Sequence, residues 1–303
     1  MASVYKNETL TNLPELTYKL TSQLSTDVER FRAIYKWVCL NIANDYGLYY
    51  RNKRKRYRYK NDSLKLNAWN SRFKKRLFKK LLKDKKTICT GYAYLVRELS
   101  KLANLECQII HGFGKTSTIE INEDDSPNHS WNAIKLNNTW YLCDPTWSSG
   151  IPNLETGAFT FYYNDGYFLA NPELFSVNHF PEEQKWQLTD STLTFKSFLE
   201  SPILYGNTYR YLKNINTPKV MHHIIKEEQS IMFKYTLRKL VNKQDVILLI
   251  DSGINSRKVS PTEVSIVHNY LTINHKFKTR GFYDVHLYLK DQLIITYTVK
   301  VIK

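Results

Sequence analysis

Two β-prone runs separated by a pair of asparagines constrain the fold of this chain more than any other feature. The runs extend from Ser130 to Leu136 and from Thr139 to Asp144, and Asn137-Asn138 lies between them. Asparagine tolerates the positive φ values that a two-residue hairpin turn requires. The sequence therefore predicts a tight antiparallel hairpin over these residues.

The register of this hairpin determines which side chains share a face. In the register that a two-residue turn imposes, Trp131 faces Asp144 and His129 faces Thr146. His129 and Asp144 are then diagonal neighbours on one face, with Cα atoms about 7–8 Å apart. A slip of one residue would place them on opposite faces. The pattern thus predicts a hydrogen bond between an imidazole and a carboxylate.

Cys89 stands where a strongly basic segment ends and an apolar segment with helical period begins. The repeat predicts a helix ending near residue 104. Cys89 then lies at or just before the first turn, where unpaired N–H groups and the helix dipole favour a thiolate. Lys85 and Lys86 are expected to lower the pKa of this thiol further. Gly91 disfavours the helix by about 1 kcal/mol relative to alanine, which close approach of another backbone or of a substrate would explain.

Cysteine usage indicates a reactive thiol rather than a structural framework. The four cysteines are Cys39, Cys89, Cys107 and Cys143, and none belongs to a CxxC pair. This spacing argues against a zinc ribbon, a thioredoxin-type site and a disulfide scaffold. Cys39 and Cys107 are expected to be structural. We expect no metal and no organic cofactor, because thiol chemistry of this kind needs neither.

The positive charge of the chain is concentrated in one segment. The net charge is +16, and the segment from Arg51 to Lys86 holds 17 Lys and Arg against the two acids Asp62 and Asp84, a local charge of +15. The high isoelectric point is therefore a property of one basic insertion. Its first part, residues 51–63, has no apolar period and is expected to be a solvated loop, whereas residues 68–83 are expected to be helical.

Three interpretations of the basic segment 51–86 stay open. A basic face with aromatic residues is typical of nucleic-acid binding, and also of a helix that lies on an anionic membrane. The third interpretation is a helix packed on its own domain with a solvated basic face, because its aromatic residues share one stripe. The segment also suits an acidic partner, and it could steer acidic substrates to the site.

Length and composition indicate an ordered globular protein of two domains. The chain has 303 residues, 42% hydrophobic, which is enough for a sizeable core in each domain. No run reaches the roughly 18 apolar residues of a membrane span. The first eight residues do not resemble a secretion signal. The sequence is compatible with a cytoplasmic protein, or with an exported one written without its leader.

The last third of the chain has the period-two pattern of β-strands. Apolar and polar residues alternate from Ile231 to Leu237, from Tyr283 to Leu289 and from Ile295 to Val301. Short turns separate the last two runs. The pattern predicts an antiparallel β-sandwich of roughly 80 to 100 residues. We place the domains at 1–190, with the insertion 51–86, and at 191–303.

Three motifs in this order resemble the core of the transglutaminase-like superfamily. They are Cys89-Thr90-Gly91-Tyr92-Ala93, His129-Ser130-Trp131-Asn132 and Trp140-Tyr141-Leu142-Cys143-Asp144-Pro145-Thr146-Trp147. The later Tyr167-Phe168-Leu169, His179-Phe180-Pro181 and Trp186-Gln187 are similar to the branch that contains the kyphoscoliosis peptidase. The resemblance implies an α+β fold with helices packed on an antiparallel sheet. An immunoglobulin-like domain often follows this core in that branch.

The resemblance also implies a Cys-His-Asp triad. Cys89 is expected to be the nucleophile, His129 the general base and acid, and Asp144 the group that orients the imidazolium. The substrate would be a protein or peptide amide, with water or an amine as acceptor. The alternatives are an inactive scaffold or binding protein with the same fold, and a protein whose basic segment binds nucleic acid or an anionic surface. The long basic segment departs from the family pattern, and only the Cys89 backbone N–H can be assigned to an oxyanion hole.

Overall fold

The computed structural model describes residues 2–6, 8–190 and 192–303. They pack as two compact units, one of Met1–His111 with His129–Leu169 and one of Gly112–Asn128 with Ala170–Lys303. The predicted domain boundary falls at Ser191, which lies outside the described residues, and it stays a prediction. No helix in the described ranges is both long enough and apolar enough to cross a membrane.

Helices dominate the first unit. Their bounds are Leu13–Thr21, Asp27–Asn41, Tyr46–Arg58, Ser63–Asp84, Cys89–Leu102 and Pro145–Ser149, with a 3-10 turn at Asp165–Tyr167. Thr26 begins the second helix with a capping box, because it accepts a bond from the N–H of Glu29 while the Glu29 carboxylate accepts one in return. One buried face of this helix packs in a single apolar core against the helix Cys89–Leu102, which we call the nucleophile helix after the predicted role of Cys89.

The strand His129–Leu136 lies beside the strand Cys107–Gly114 on one edge and pairs antiparallel with Thr139–Cys143 on the other. Leu136 pairs with Thr139, as the register analysis predicts. Asn137 and Asn138 adopt the positive φ values of 49° and 62° that the turn requires. Two short pairs complete the strands of this unit: Ala43–Asn44 with Lys86–Thr87, and Gly150–Pro152 with Phe159–Phe161.

The basic segment forms two helices, so the prediction of a loop over residues 51–63 is wrong for most of that range. Asp45 caps Tyr46–Arg58 and Asp62 caps Ser63–Asp84, each by accepting a bond from a backbone N–H in the first turn. Arginine and lysine are good helix formers, so the segment needs few apolar residues to fold. Its small apolar cluster contains Leu48, Phe73, Leu77 and Ile88. We call these two helices the basic hairpin.

The second unit is dominated by a β-sandwich, which confirms the predicted fold class. One sheet has the order Leu212–Thr217, Ser230–Leu237, Tyr270–Lys276, Glu263–Val267. The other has the order His222–Lys226, Gln292–Ile302, Gly281–Leu289, Val246–Asp251, Ser256–Val259, with Ile203–Leu204 also on Gln292–Ile302. The sheets face each other through Tyr235 and Tyr297, whose hydroxyl oxygens are 3.3 Å apart. His222–Lys226 pairs parallel to its neighbour, which makes this one pair an exception to the antiparallel pattern.

Short elements precede the sandwich in the second unit. They are the helices Pro172–Phe175, Phe195–Leu199 and Thr208–Tyr211, the 3-10 turn Gln184–Trp186 and the strand His179–Pro181; a further 3-10 turn, Lys243–Asp245, lies within the sandwich. Lys115 joins several of these residues, because its buried ammonium group donates to the carbonyl oxygens of Phe198 and Ser201 at 2.8 and 2.6 Å. Burial lowers the pKa of Lys115 to about 7.

Candidate active site

Cys89 is the first residue of the nucleophile helix, where the sequence predicts it. Ile88 occupies the N-cap position and supplies no side-chain acceptor to the first turn. The N–H groups of Cys89 and Thr90 precede the first intrahelical bond and are available to an anion, whereas that of Gly91 donates to the Ile88 carbonyl oxygen at 2.9 Å. The Cys89 side chain is buried, and the whole residue is 7% exposed. The thiol therefore lies beneath the surface at the positive end of a helix.

Position 91 of this helix requires a glycine because the side chain of Thr87 occupies the space beside it. A Cβ at position 91 would come within 1.8 Å of Thr87 Oγ1 and 2.8 Å of Thr87 Cβ, far inside van der Waals contact. The neighbour is thus a side chain, and the expectation of a backbone or a substrate at this point is wrong. The close approach holds the residues just before Cys89 against the first turn of its helix.

His129 and Asp144 form a buried pair. His129 Nε2 lies 2.7 Å from Asp144 Oδ2, and Asp144 is fully buried. The paired strand ends at Cys143, and Asp144 becomes the N-cap of Pro145–Ser149. Its second oxygen, Oδ1, accepts bonds from the backbone N–H groups of Thr146 and Trp147 at 2.8 and 3.1 Å. Both carboxylate oxygens therefore have partners, which fixes the plane of the carboxylate toward the imidazole.

One detail of the predicted register is wrong beyond Cys143. His129 does not face Thr146 across a strand pair, because residues 145–149 are helical. Pro145 at the first helical position ends the strand, since it lacks the N–H group that a further ladder bond would need. The diagonal contact between His129 and Asp144 survives, because Asp144 is only one residue past the last pair.

Cys89 hydrogen-bonds the imidazole of His129. Burial raises the pKa of Cys89, but the hydrogen bond and the charge of His129 outweigh it, and the pKa lies below its ordinary value. The backbone N–H of Ser130 acts in the same direction. The lowering arises from these groups, and not from Lys85 and Lys86 as the sequence suggested.

The pKa of His129 moves in the opposite direction. Burial lowers it, whereas the charge and hydrogen bond of Asp144 and the bond to Cys89 raise it, and the result is a pKa of about 10. Because the pKa of the thiol is lowered and that of the imidazole is raised, the pair favours the thiolate and the imidazolium. The three groups are therefore connected in the order Cys89, His129, Asp144.

The other three thiols lack this environment. Burial raises the pKa of Cys107 to about 12 and raises those of Cys39 and Cys143 well above the ordinary value. Cys39 donates to the carbonyl oxygen of Pro145 at 3.5 Å. All four cysteines are free and buried. Cys89 is thus distinguished from the others by its partner and not by its burial.

Trp147 is a site residue that the sequence did not single out. Its indole ring stacks on the imidazole of His129, with centroids 4.8 Å apart and planes inclined by 20°. Trp131 touches the same imidazole at a centroid distance of 5.9 Å. These rings cover the histidine and hold its orientation. The signal was present in the sequence as an aromatic residue three positions after Asp144, but only the helical turn brings it over the ring.

Asn132 is a second residue that sequence reasoning missed. It is fully buried in the strand that begins with His129. Its Nδ2 donates to the carbonyl oxygens of Ala93 at 2.9 Å and Gln108 at 3.2 Å. Ala93 belongs to the nucleophile helix and Gln108 to the neighbouring strand. Asn132 therefore ties together the two elements that carry Cys89 and His129.

Comparison with known proteins agrees with this arrangement. The family model of the transglutaminase-like superfamily matches residues 14–145, a range that contains Cys89, His129 and Asp144. The chain is 33% identical to human kyphoscoliosis peptidase over 188 residues, covering 61% of this chain and 26% of that protein. It is 31% identical to the mouse protein of the same name over 205 residues, covering 67% and 28%. The chain thus spans about a quarter of the length of these relatives.

A solved structure, the filamin domain of Lin-41, is similar to part of the chain at 18% identity with a TM-score of 0.23, covering 29% of this chain and 90% of that one. The assignment of the sandwich rests on its own strand order and register. The assignment of the core rests on the family match and on the kyphoscoliosis peptidases. Residues 14–145 therefore form a transglutaminase-like domain, and the chain is similar to the kyphoscoliosis peptidases.

Proposed function

We propose that this protein is a thiol-dependent acyl transferase or hydrolase that acts on protein or peptide amide bonds through Cys89, His129 and Asp144. The observation that carries the proposal is the buried hydrogen-bonded series of these three groups, with a lowered pKa for Cys89 and a raised one for His129. Perturbed pKa values of this kind are concentrated at functional sites.

The first half of the proposed reaction forms a thioester. The Cys89 thiolate attacks the amide carbonyl carbon, and the carbonyl oxygen becomes an oxyanion that the Cys89 backbone N–H can bind. The imidazolium of His129 gives its proton to the leaving nitrogen as the C–N bond breaks. Asp144 keeps the ring oriented and stabilises its positive charge throughout.

The second half releases the acyl group. Water or an amine loses a proton to the neutral His129 and attacks the thioester, and the C–S bond breaks to return the thiolate. With water as acceptor the reaction is peptide hydrolysis or glutamine deamidation, and with a lysine amine it is cross-linking. The name of the kyphoscoliosis peptidases favours hydrolysis for this chain as well.

A second candidate function is a binding protein that retains the fold without turnover. The observation that favours it is the small exposure of the proposed catalytic groups, 7% for Cys89 and 8% for His129. In that case the site would hold a polypeptide and release it unchanged. The experiment below separates this function from the enzymatic one.

Mass spectrometry of a protein mixture that contains glutamine and lysine tests the proposal directly. We expect new peptide ends, deamidated glutamines or cross-links with the natural chain, and none with Cys89→Ala. Cys107→Ala is the matched control, because Cys107 is 8% exposed but lies outside the triad. Equal product patterns for the natural chain and Cys89→Ala, under conditions where both are folded, would rule out the enzymatic function.

A further inference from the structure

The outer surface of the basic hairpin is rich in cations that have no acidic partner. Two ion pairs involve hairpin lysines, Lys65 with Asp62 at 2.8 Å and Lys80 with Asp45. The following residues are exposed and form no ion pair within the described ranges: Arg51, Lys53, Arg54, Arg58, Lys60, Arg72, Lys74, Lys75, Arg76, Lys79, Lys83 and Lys86. Ten of these twelve like charges lie on the two helices and repel one another, and an anionic ligand would relieve that repulsion.

One set of the apolar residues of the hairpin is directed inward, whereas Tyr50, Tyr57, Leu64 and Leu82 are exposed. Phe73 and Leu77 are buried with Leu48 in a cluster that also includes Ile88. Trp69 stacks on Phe73 and donates its indole N–H to Asn52 at 2.9 Å. The buried apolar stripe is therefore already used by the core of the hairpin itself, and the tryptophan is not presented for stacking on bases. On the exposed surface the cations outnumber the large apolar side chains.

The base of the hairpin is joined to the residues that lead into Cys89. Ala43–Asn44, just before the first helix, pairs in parallel with Lys86–Thr87, just before the nucleophile helix. The N–H of Asp45 donates to the carbonyl oxygen of Thr87 at 2.7 Å.

Tyr49, one turn into the first helix of the hairpin, packs against the cluster that holds Ile88. Burial, together with the nearby Cys89, raises the pKa of Tyr49 to about 12. The base of the basic hairpin thus lies beside Cys89.

We infer that the basic hairpin recruits acidic stretches of a polypeptide substrate and directs the adjoining amide bond to Cys89. The inference rests on the proposed function and names its substrate class. A polypeptide rich in Asp and Glu can contact the cations and still extend as a single chain to the thiol. Oriented charge of this kind raises association rates by tenfold or more, and salt weakens it. The effect belongs to substrate binding and leaves the chemical step unchanged.

The test measures binding and protection separately from turnover. A fluorescein-labelled 20-residue peptide of alternating Glu and Gly is titrated into the full chain carrying Cys89→Ala at low salt. We expect the triple substitution Lys75→Gln, Lys79→Gln, Lys83→Gln on the exposed side of the second hairpin helix to weaken this binding about tenfold. The matched control is Lys213→Gln, Lys239→Gln, Lys243→Gln, three exposed lysines of the second unit, and it should change the affinity less than twofold.

The same peptide is then added to the chain with natural Cys89 during alkylation by iodoacetamide. We expect it to slow the alkylation of Cys89 several-fold, and the hairpin substitutions to abolish this protection. Three outcomes would overturn the inference: equal weakening by both triple substitutions, binding without protection, or tighter binding of a charge-matched oligonucleotide or of phosphatidylserine vesicles. Binding and protection without any turnover would support recruitment while contradicting the enzymatic function, so the two proposals can fail independently.

Discussion

Asp144 bonds the imidazole of His129 through one carboxylate oxygen, at 2.7 Å, and caps a short helix through the other. The same side chain thus serves the proposed chemistry and the local fold. Its two tasks can be separated by substitution, because asparagine retains an acceptor for the helix cap whereas alanine does not.

For Asp144→Asn we expect the pKa of His129 to fall, since the carboxylate that raises it is lost while burial still lowers it. The Cys89 thiol then stays protonated at neutral pH, and its alkylation by iodoacetamide slows at least tenfold. Asp144→Ala should do the same and also lower the free energy of unfolding by about a further 1 kcal/mol, through loss of the cap. Urea unfolding and alkylation rates measure the two effects. Unchanged alkylation in Asp144→Asn would contradict the role of the carboxylate.

The pH dependence of Cys89 alkylation tests its pairing with His129. In the natural chain we expect a midpoint below the ordinary thiol pKa, because the imidazolium outweighs burial. In His129→Gln the midpoint should rise above the ordinary value, since burial is the largest influence on this pKa and only the weaker bond from the Ser130 N–H then opposes it. Turnover requires both the thiolate and the imidazolium, so it should increase as pH rises through the Cys89 pKa and decrease near pH 10. A midpoint that is equal in both proteins would refute the ion pair.

The titration of His129 also makes the stability of the fold depend on pH. The folded pKa of His129 is raised above its ordinary value, so its contribution to stability is fully present below about pH 6.5 and is lost as pH rises through about 10. We therefore expect the stability difference between Cys89→Ala and Cys89→Ala/His129→Gln to shrink as pH rises from 7 to 10.5, because no thiol then titrates at this site and Asp144 still raises the pKa of His129. Urea unfolding at both pH values, with Cys107→Ala as reference, measures it. A difference that grows over this range would contradict the raised pKa.

Gly91→Ala should destabilise the fold by about 1–3 kcal/mol, because its Cβ would overlap Thr87 Oγ1. Thr87→Ala should recover part of this loss, since it removes that atom, which has no hydrogen-bond partner. The control is Gly47→Ala, also in a helix, whose Cβ would meet only Asp45 Oδ1 at 3.6 Å. It should be neutral or stabilising by up to about 1 kcal/mol. Additive effects of Gly91→Ala and Thr87→Ala in thermal unfolding would show that the overlap is not the cause.

Asn132→Ala removes the donors to the carbonyl oxygens of Ala93 and Gln108. We expect the free energy of unfolding to fall by about 1–3 kcal/mol, because two buried carbonyl oxygens lose their hydrogen-bond donor. We also expect the pKa of Cys89 to rise in this variant, because the nucleophile helix is no longer bonded to the strand of His129. Asn70→Ala, at an exposed position of the helix Ser63–Asp84, is a control for asparagine loss, with no expected effect on the thiol. Stability lost without any change in alkylation would assign Asn132 a purely structural role.

Local rules predicted the parts of the site that depend on neighbouring residues. The asparagine turn sets the register of its hairpin, because positive φ values are available to asparagine at low cost, and that register brings His129 and Asp144 together. The apolar period placed Cys89 at the start of its helix. The alternation of apolar and polar residues predicted strands of the sandwich. Each of these properties follows from residues fewer than about twenty positions apart.

Residues distant along the chain decided the rest. The absence of an apolar period in residues 51–63 suggested a loop, but Leu48 supplies the contact that holds that helix against the second one. The reason for Gly91 is the side chain of Thr87, which the sequence does not reveal because the direction of a side chain depends on the fold. The stacking of Trp147 on His129 likewise requires the turn that begins at Asp144.

The four cysteines show most clearly which properties the sequence determines and which depend on the tertiary structure. The sequence alone determined that Cys89 begins a helix and that a histidine and a carboxylate share one face of a hairpin. Only the tertiary structure decided that this thiol, among four buried thiols, has a lowered pKa. The physical reason is that burial raises the pKa of every buried thiol, and only a charged partner within hydrogen-bonding distance reverses the sign. That partner, His129, lies forty residues away in the chain.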